Sequence, residues 1–502
     1  MKKLTSILLT VVLLAALALP AFAEGQSVSY KDKNWDEQKK DVVTTDETAS
    51  ATFVTADMAA WGVSGSNTPQ WYAVSGTVTL AVRPEVLGDV HLILCDNAVL
   101  NAPKGITLED GNSLTVFAQS DGNTMGALKI ENFAGNIVKN HWSIAINNAD
   151  AAIGGRAGSN AKNDGESGKT GASAGALCWK GGSLTVTTTE TGSACIGGGN
   201  GGNGMGGLYS FCGGGDGGSG ADMSVYGGVI SLDGTSGVSG GSGGSGGDAY
   251  DGTAGSGGWG GSGKSFVVYD GAVTIRSQKG VCVGGGTGGV GGESDRACGG
   301  DGGNGGKGGT ATVLGGTVTM TSAALCIGGG NGGTGGVGAG QHGASSEAGS
   351  GGWGGDGGSG GAVTLSGGTV TLSAGTVCFG GGQGGAGGKD REGTRPGTPG
   401  RAGKAAALTF CGGATVRVGA DETTATPISL TETVSTDSND GTYHKPYFQF
   451  FFPENAGSVL SQGSMWIVAV VAVAAVAGVA ALVVTKKKKP AAANGVEKED
   501  EE

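Results

Sequence analysis

Charge is scarce in this chain: Asp, Glu, Lys and Arg make up 15 % of 502 residues. Aromatics are 6 %, prolines number 10 and histidines 4. So little charge argues against a chain held open by self-repulsion. The formal charge of −12 offers no basic footprint for nucleic acid. Ten prolines and no sustained Gly-X-Y register exclude collagen. His91, His141, His342 and His444 are scattered, and the cysteines lack CxxC spacing, which argues against a metal centre. What is abundant is glycine, 111 residues, against a usual share of ~7 %. Glycine costs roughly 1 kcal/mol per helical position, so an ordinary helical globule is excluded too. The glycine runs lack the strand–loop–helix setting of a phosphate loop, which argues against nucleotide binding.

The two ends point to an address. Met1-Lys2-Lys3, an apolar run from Leu4 to Leu19 and Ala21-Phe22-Ala23 predict a signal peptide over 1–23, cut after Ala23. Met465 to Val484 is uncharged and mostly apolar, long enough at 1.5 Å per residue to span a bilayer as a helix. Lys486 to Lys489 follow, which places the C-terminus (485–502) in the cytoplasm and residues 24–464 outside. No LPxTG-type motif precedes Met465, so a retained single-pass anchor is expected rather than a wall-linked product.

Between the ends the chain repeats. Cys-apolar-Gly-Gly-Gly occurs at Cys195, Cys282, Cys326 and Cys378, with degenerate copies at Ala152 and Gly237. The steps are 43, 42, 45, 44 and 52 residues. Most copies are preceded by two short alternating runs joined by Gly-Gly, such as Ala311-Thr312-Val313-Leu314-Gly315-Gly316-Thr317-Val318-Thr319-Met320. Period two with β-branched residues predicts strands, with Val313, Val318 and Met320 on one side and Thr312 and Thr319 on the other. Such short strands cannot bury an apolar face alone; stacking equivalent strands from successive repeats can. The expected fold is all-β: a parallel β-solenoid over 151–420, capped by coils in 71–150 that lack the glycine runs. Residues 24–70 are expected to be a polar arm or small cap. Residues 421–464 read as a Thr-rich spacer and an aromatic C-terminal cap, since Phe448, Phe450, Phe451 and Phe452 are too apolar for a bare stalk.

The segments between Gly-Gly-Gly and the next strand run in Gly-Gly-x triplets, as in Gly299 to Gly309. A three-residue period matches the polyproline-II helix, so polyglycine-II-like inserts are expected; a flexible linker is the alternative. The inserts repeat in detail. Ala254-Gly255-Ser256-Gly257-Gly258-Trp259-Gly260-Gly261 recurs over Ala348–Gly355, and Cys212 and Cys298 follow Cys195 and Cys282 by 17 and 16 residues.

On these units the chain resembles the glycine-rich GIGGG/GG-x-VT repeat proteins on the surface of Gram-positive gut bacteria, over about Trp71 to Val418. The resemblance implies a β-helix with a carbohydrate-binding or adhesin-like role. It carries over no defined site, and this chain places cysteine where small residues are usual.

The site candidates are few. Trp259 and Trp353, flanked by glycine, are candidate ligand-binding rings able to stack on sugars; packing between inserts is the alternative role. Cys212 with Cys298 is the candidate disulfide, while Cys195, Cys282, Cys326 and Cys378 read as a row of small buried side chains. Asp216, Asp301 and Asp356 each follow Gly-Gly, which leaves calcium as a conceivable ligand, although the nonapeptide spacing is missing; no other cofactor is expected. Asp89, Asp96 and Asp110 are the carboxylates an enzyme would need to cluster. No catalytic residue is assigned. The expected function is non-enzymatic binding of an extracellular glycan or a host or cell-surface protein. A ligand-free scaffold or stalk is one alternative and a polysaccharide lyase or hydrolase another.

Overall fold

The computed structural model describes residues 25–451, except 135–137, 140–144, 147–148, 190–193, 209–210, 324, 340–348, 376, 394, 405–406, 411–414, 430–433 and 436–445. The expected signal peptide and the Met465–Val484 helix lie outside the described residues. Among the described residues, no helix is long and apolar enough to cross a membrane.

The chain is nearly all β, wound into three long sheets of mostly parallel strands. Each turn of the winding gives one strand to each sheet, the arrangement of a β-solenoid. In one coil these are Ser265–Val268, Ala272–Ser277 and Val281–Gly284. The next coil pairs in register with it, Phe266 beside Ala311, Ile275 beside Met320 and Val283 beside Ile327. The alternation places Val313, Val318 and Met320 inside at 2 % exposure or less, while Thr312 and Thr319 face out, half-buried. Two inward side chains bring ~3–6 kcal/mol of apolar burial per short strand, comparable to the ~4–8 kcal/mol needed to order its four residues. No strand stands alone; the stack does.

The first and second strands of a coil meet at Gly-Gly. The second glycine has φ of +88° at Gly182, +84° at Gly228 and +74° at Gly316, a conformation that glycine adopts without a Cβ penalty. The Cys-apolar-Gly-Gly motif is the third strand. Its register runs Ile153, Ile196, Val238, Val283, Ile327, Phe379 through six coils. Two earlier coils, built from Gln70–Leu87 and Asp89–Thr107, have the same three sheets and no glycine segment.

Residues 26–36 and 41–53 form an antiparallel hairpin. Its second strand joins the first sheet through Thr52–Tyr72 and Phe53–Ala73. Val28 and Tyr30 close a separate apolar cluster on the outer side of that sheet with Ala73, Ile93 and Phe117. At the other end of the stack, Tyr447–Phe451 runs antiparallel between Thr369–Ala374 and Thr415–Gly419. It buries Phe448 and Phe450 against Phe379.

Six coils carry a glycine insert after the third strand. Each insert goes out along one leg and returns along a second. The legs are hydrogen bonded with a period of three. The first glycine of a triplet donates to the third residue of the same leg in the next coil, as in Gly243 to Thr287 O (2.8 Å) and Gly257 to Asp301 O (2.8 Å). The second glycine donates to the opposite leg, so a zigzag runs Gly258 to Gly244, Gly289 to Gly258 and Gly303 to Gly289, each 2.8 Å. A Cβ on Gly258 would sit 2.0 Å from the carbonyl oxygen of Gly215, and one on Gly257 at 2.0 Å from that of Gly289. These glycines are required by close approach, not by unusual φ.

Gly258→Ala is therefore expected to destabilise the fold by about 1–3 kcal/mol, the range for overpacking. Ser256→Ala, at the exposed third position, is expected to stay within about 0.5 kcal/mol. Thermal and denaturant unfolding followed by circular dichroism checks both; an unchanged Gly258→Ala transition would show that the legs are not packed this tightly.

Candidate binding face

Because both glycines of each triplet point into the lattice, only the third residue presents a side chain. The returning legs present one flat row of such residues and the outgoing legs another. Strand register and hydrogen bonds align the returning legs as columns. Asp216, Trp259, Asn304, Asp356 and Arg401 form one column, and Ser256, Asp301, Trp353 and Thr398 the neighbouring one.

The two tryptophans stand 60 % and 63 % exposed on this row. Both rings are thus turned mostly outward among the described residues. They are not equivalent: Trp353 is two coils on from Trp259 and one triplet over. Two coils at the strand spacing are ~10 Å and one triplet at 3.1 Å per residue is ~9 Å, which puts the backbones roughly 13 Å apart. The identical octapeptides around them therefore sit out of register by three residues.

The third amide of each triplet faces outward, and Asp and Asn supply its acceptor. Asp216 Oδ1 accepts from Trp259 N–H (2.7 Å) and Asp301 Oδ1 from Trp353 N–H (2.8 Å). Asn304 Oδ1 accepts from Asp356 N–H (2.8 Å), and Asp356 Oδ1 from Arg401 N–H (2.7 Å). The outgoing legs repeat the device: Asn200 Oδ1 accepts from Ser242 N–H (2.9 Å) and Asn203 Oδ1 from Ser245 N–H (2.7 Å). The aspartates after Gly-Gly thus brace the neighbouring insert, a role their spacing alone did not reveal; the signal was the recurrence of Asp or Asn at the third position. Among the described residues no group of three or more His, Cys, Asp or Glu is placed to hold a metal ion. Asn304 keeps an amide NH₂ and Asp301 a second oxygen beside the two indoles.

The remaining candidates fall elsewhere. The disulfide expected between Cys212 and Cys298 is not formed: both are free thiols. The insert that carries Trp259 lies between theirs, with Ala254 N–H on Cys298 O and Gly247 N–H on Cys212 O. Two coils of ~4.8 Å each exceed the ~7 Å limit for bridged Cα atoms. Cys195, Cys282, Cys326 and Cys378 are buried in the core. Cys282, Cys326 and Cys378 stand beside one another on successive coils, and burial pushes the thiols of Cys195 and Cys282 up. Asp89 and Asp110 line one groove of about 250 Å³ with Lys264. Each is engaged, Asp89 by Ser113 (2.6 Å) and Asp110 by Lys264 (2.8 Å). Asp96 lies apart, accepting from Ser120. Near the insert ends, Leu208, Phe211 and Tyr250 are also exposed, with the Arg296 guanidinium 4.5 Å from the Tyr250 ring centre. The sequence pattern did not single out this patch.

No family model matches the chain, and no curated protein or solved structure matches it.

Asp216→Ala and Asp301→Ala are expected to cost about 1 kcal/mol each, the usual net worth of one hydrogen bond, and to speed amide exchange at Trp259 and Trp353. Asp216→Asn, which keeps the acceptor, is expected to restore both. Equal exchange in all three variants would rule out the brace.

Proposed function

We propose that this protein is a non-enzymatic, adhesin-like surface protein whose glycine-insert face binds extracellular carbohydrate or a cell-surface ligand. The observation that carries this reading is the pair of exposed indoles, Trp259 and Trp353, on one braced face. A flat aromatic ring is a large apolar surface of fixed geometry, suited to the apolar face of a sugar ring. A platform already ordered before binding spends little conformational entropy on the ligand. The legs are polyglycine-II helices on this reading, and the solenoid is a stiff mount for them. Residues 1–23 would direct export and Met465–Val484 would anchor the chain, with the solenoid outside and the lysine-rich tail in the cytoplasm. The resemblance to glycine-rich surface repeat proteins of Gram-positive gut bacteria supports the same placement.

Glycan- and mucin-array binding of purified residues 24–464, with and without EDTA, tests it beside Trp259→Ala/Trp353→Ala. Saturable, EDTA-insensitive binding that the double variant lowers at least tenfold is the expected result. No binding by a folded wild-type protein would overturn the proposal and favour a ligand-free scaffold.

A further inference from the structure

Lys180 follows the strand Ala176–Trp179 and meets the N-terminal hairpin from 146 residues away in sequence. Its Nζ lies 2.9 Å from Asn34 Oδ1 and 2.5 Å from Asp32 Oδ1. Asp32 and Asn34 are two apart on one strand, so they share a face. The Lys180 side chain is only 13 % exposed. Its ammonium lies 5.5 Å from the Phe117 ring centre and 5.6 Å from that of Tyr226. An amine, a carboxamide and a carboxyl group thus converge beside two aromatic rings, with Nζ in hydrogen-bond contact with an oxygen of each of the other two groups.

We propose that Lys180 and Asn34 form an intramolecular isopeptide bond, with Asp32 carrying the protons. Asp32 takes a proton from the Lys180 ammonium, freeing the lone pair on Nζ. Nζ adds to Cγ of Asn34, forming the new C–N bond. Asp32 then hands its proton to Nδ2, the Cγ–Nδ2 bond breaks, and the nitrogen leaves as ammonium with the surplus proton from Nζ. Asp32 ends as it began, and no oxidant or cofactor enters. Asn34 is exposed, so ammonium has a direct way out. Holding donor and acceptor together supplies the effective concentration that a free amine and amide lack, and a carboxyl group in contact with the amine, two residues from the amide on the same strand, supplies general acid–base assistance.

The location gives the bond a purpose. Among the described residues, the first hairpin strand pairs by backbone with the solenoid at Lys31 with Ala118. Its far end is held by side chains: Trp35 on Tyr269 at 5.4 Å and Lys33 on Asp121 at 2.7 Å. A covalent link at Asn34 would fix that far end to the coil beneath it.

The test is peptide mapping by tandem mass spectrometry of the full-length chain purified from membranes. The expected result is a branched peptide joining Lys180 to Asn34, lighter than its two parts by one ammonia. Asn34→Ala and Lys180→Ala are expected to lack the branch. Asp32→Ala, which keeps both reacting groups, is expected to lose it as well, with a circular dichroism spectrum like the wild type. Recovery of Lys180 and Asn34 on separate unmodified peptides from the wild type overturns the proposal. So does a branch that has lost water and ends on Asp32.

Discussion

Every coil is tied to the next by main-chain hydrogen bonds at one spacing, and the strands and the glycine legs must both keep it. The legs leave a β-strand and return to one, so they cannot relax to a wider separation. At that spacing a Cβ on either inner position of a triplet would stand about 2.0 Å from a carbonyl oxygen, as at Gly243 and Gly244. The glycine content of the chain follows from this one distance. The strand-to-strand corners, such as Gly228 and Gly316, use glycine instead for its left-handed backbone.

This division frees the third residue of each triplet. Main-chain bonds made by the glycines hold the lattice, so the outward side chains carry little of its stability and can vary. Their one shared duty is bracing, and Asp or Asn performs it for the amide of the next insert. Trp259 and Trp353 are each held this way, by Asp216 and Asp301. Their backbone positions are set before any ligand arrives.

Much of the architecture was legible because its signals are local and periodic. The alternation at Val313, Val318 and Met320 gave the strands and their inner face, and the 42- to 52-residue step gave the stacking. The Cys-apolar-Gly-Gly strand was not recognised as one, because both its faces are buried and it has no polar alternation. The Cys212–Cys298 pairing failed because a whole insert lies between theirs, and two coil spacings exceed the reach of a disulfide. The braces at Asp216 and Asp301 and the meeting of Lys180 with Asn34 join different coils. No spacing within one repeat encodes them.

The offset between Trp259 and Trp353 has a consequence for how such chains change. The lattice repeats every three residues along a leg, so sliding a leg by one triplet restores every backbone contact and moves only the outward side chains. The main chain tolerates gain or loss of whole triplets, and a single inserted residue would turn inner glycine positions over to bulky ones. Length change in a leg is thus quantised. Two inserts with identical sequence can present their side chains at different places, as Ala254–Gly261 and its copy do. Aligning such inserts by identity alone leaves a threefold-step ambiguity that only the strands at their ends remove.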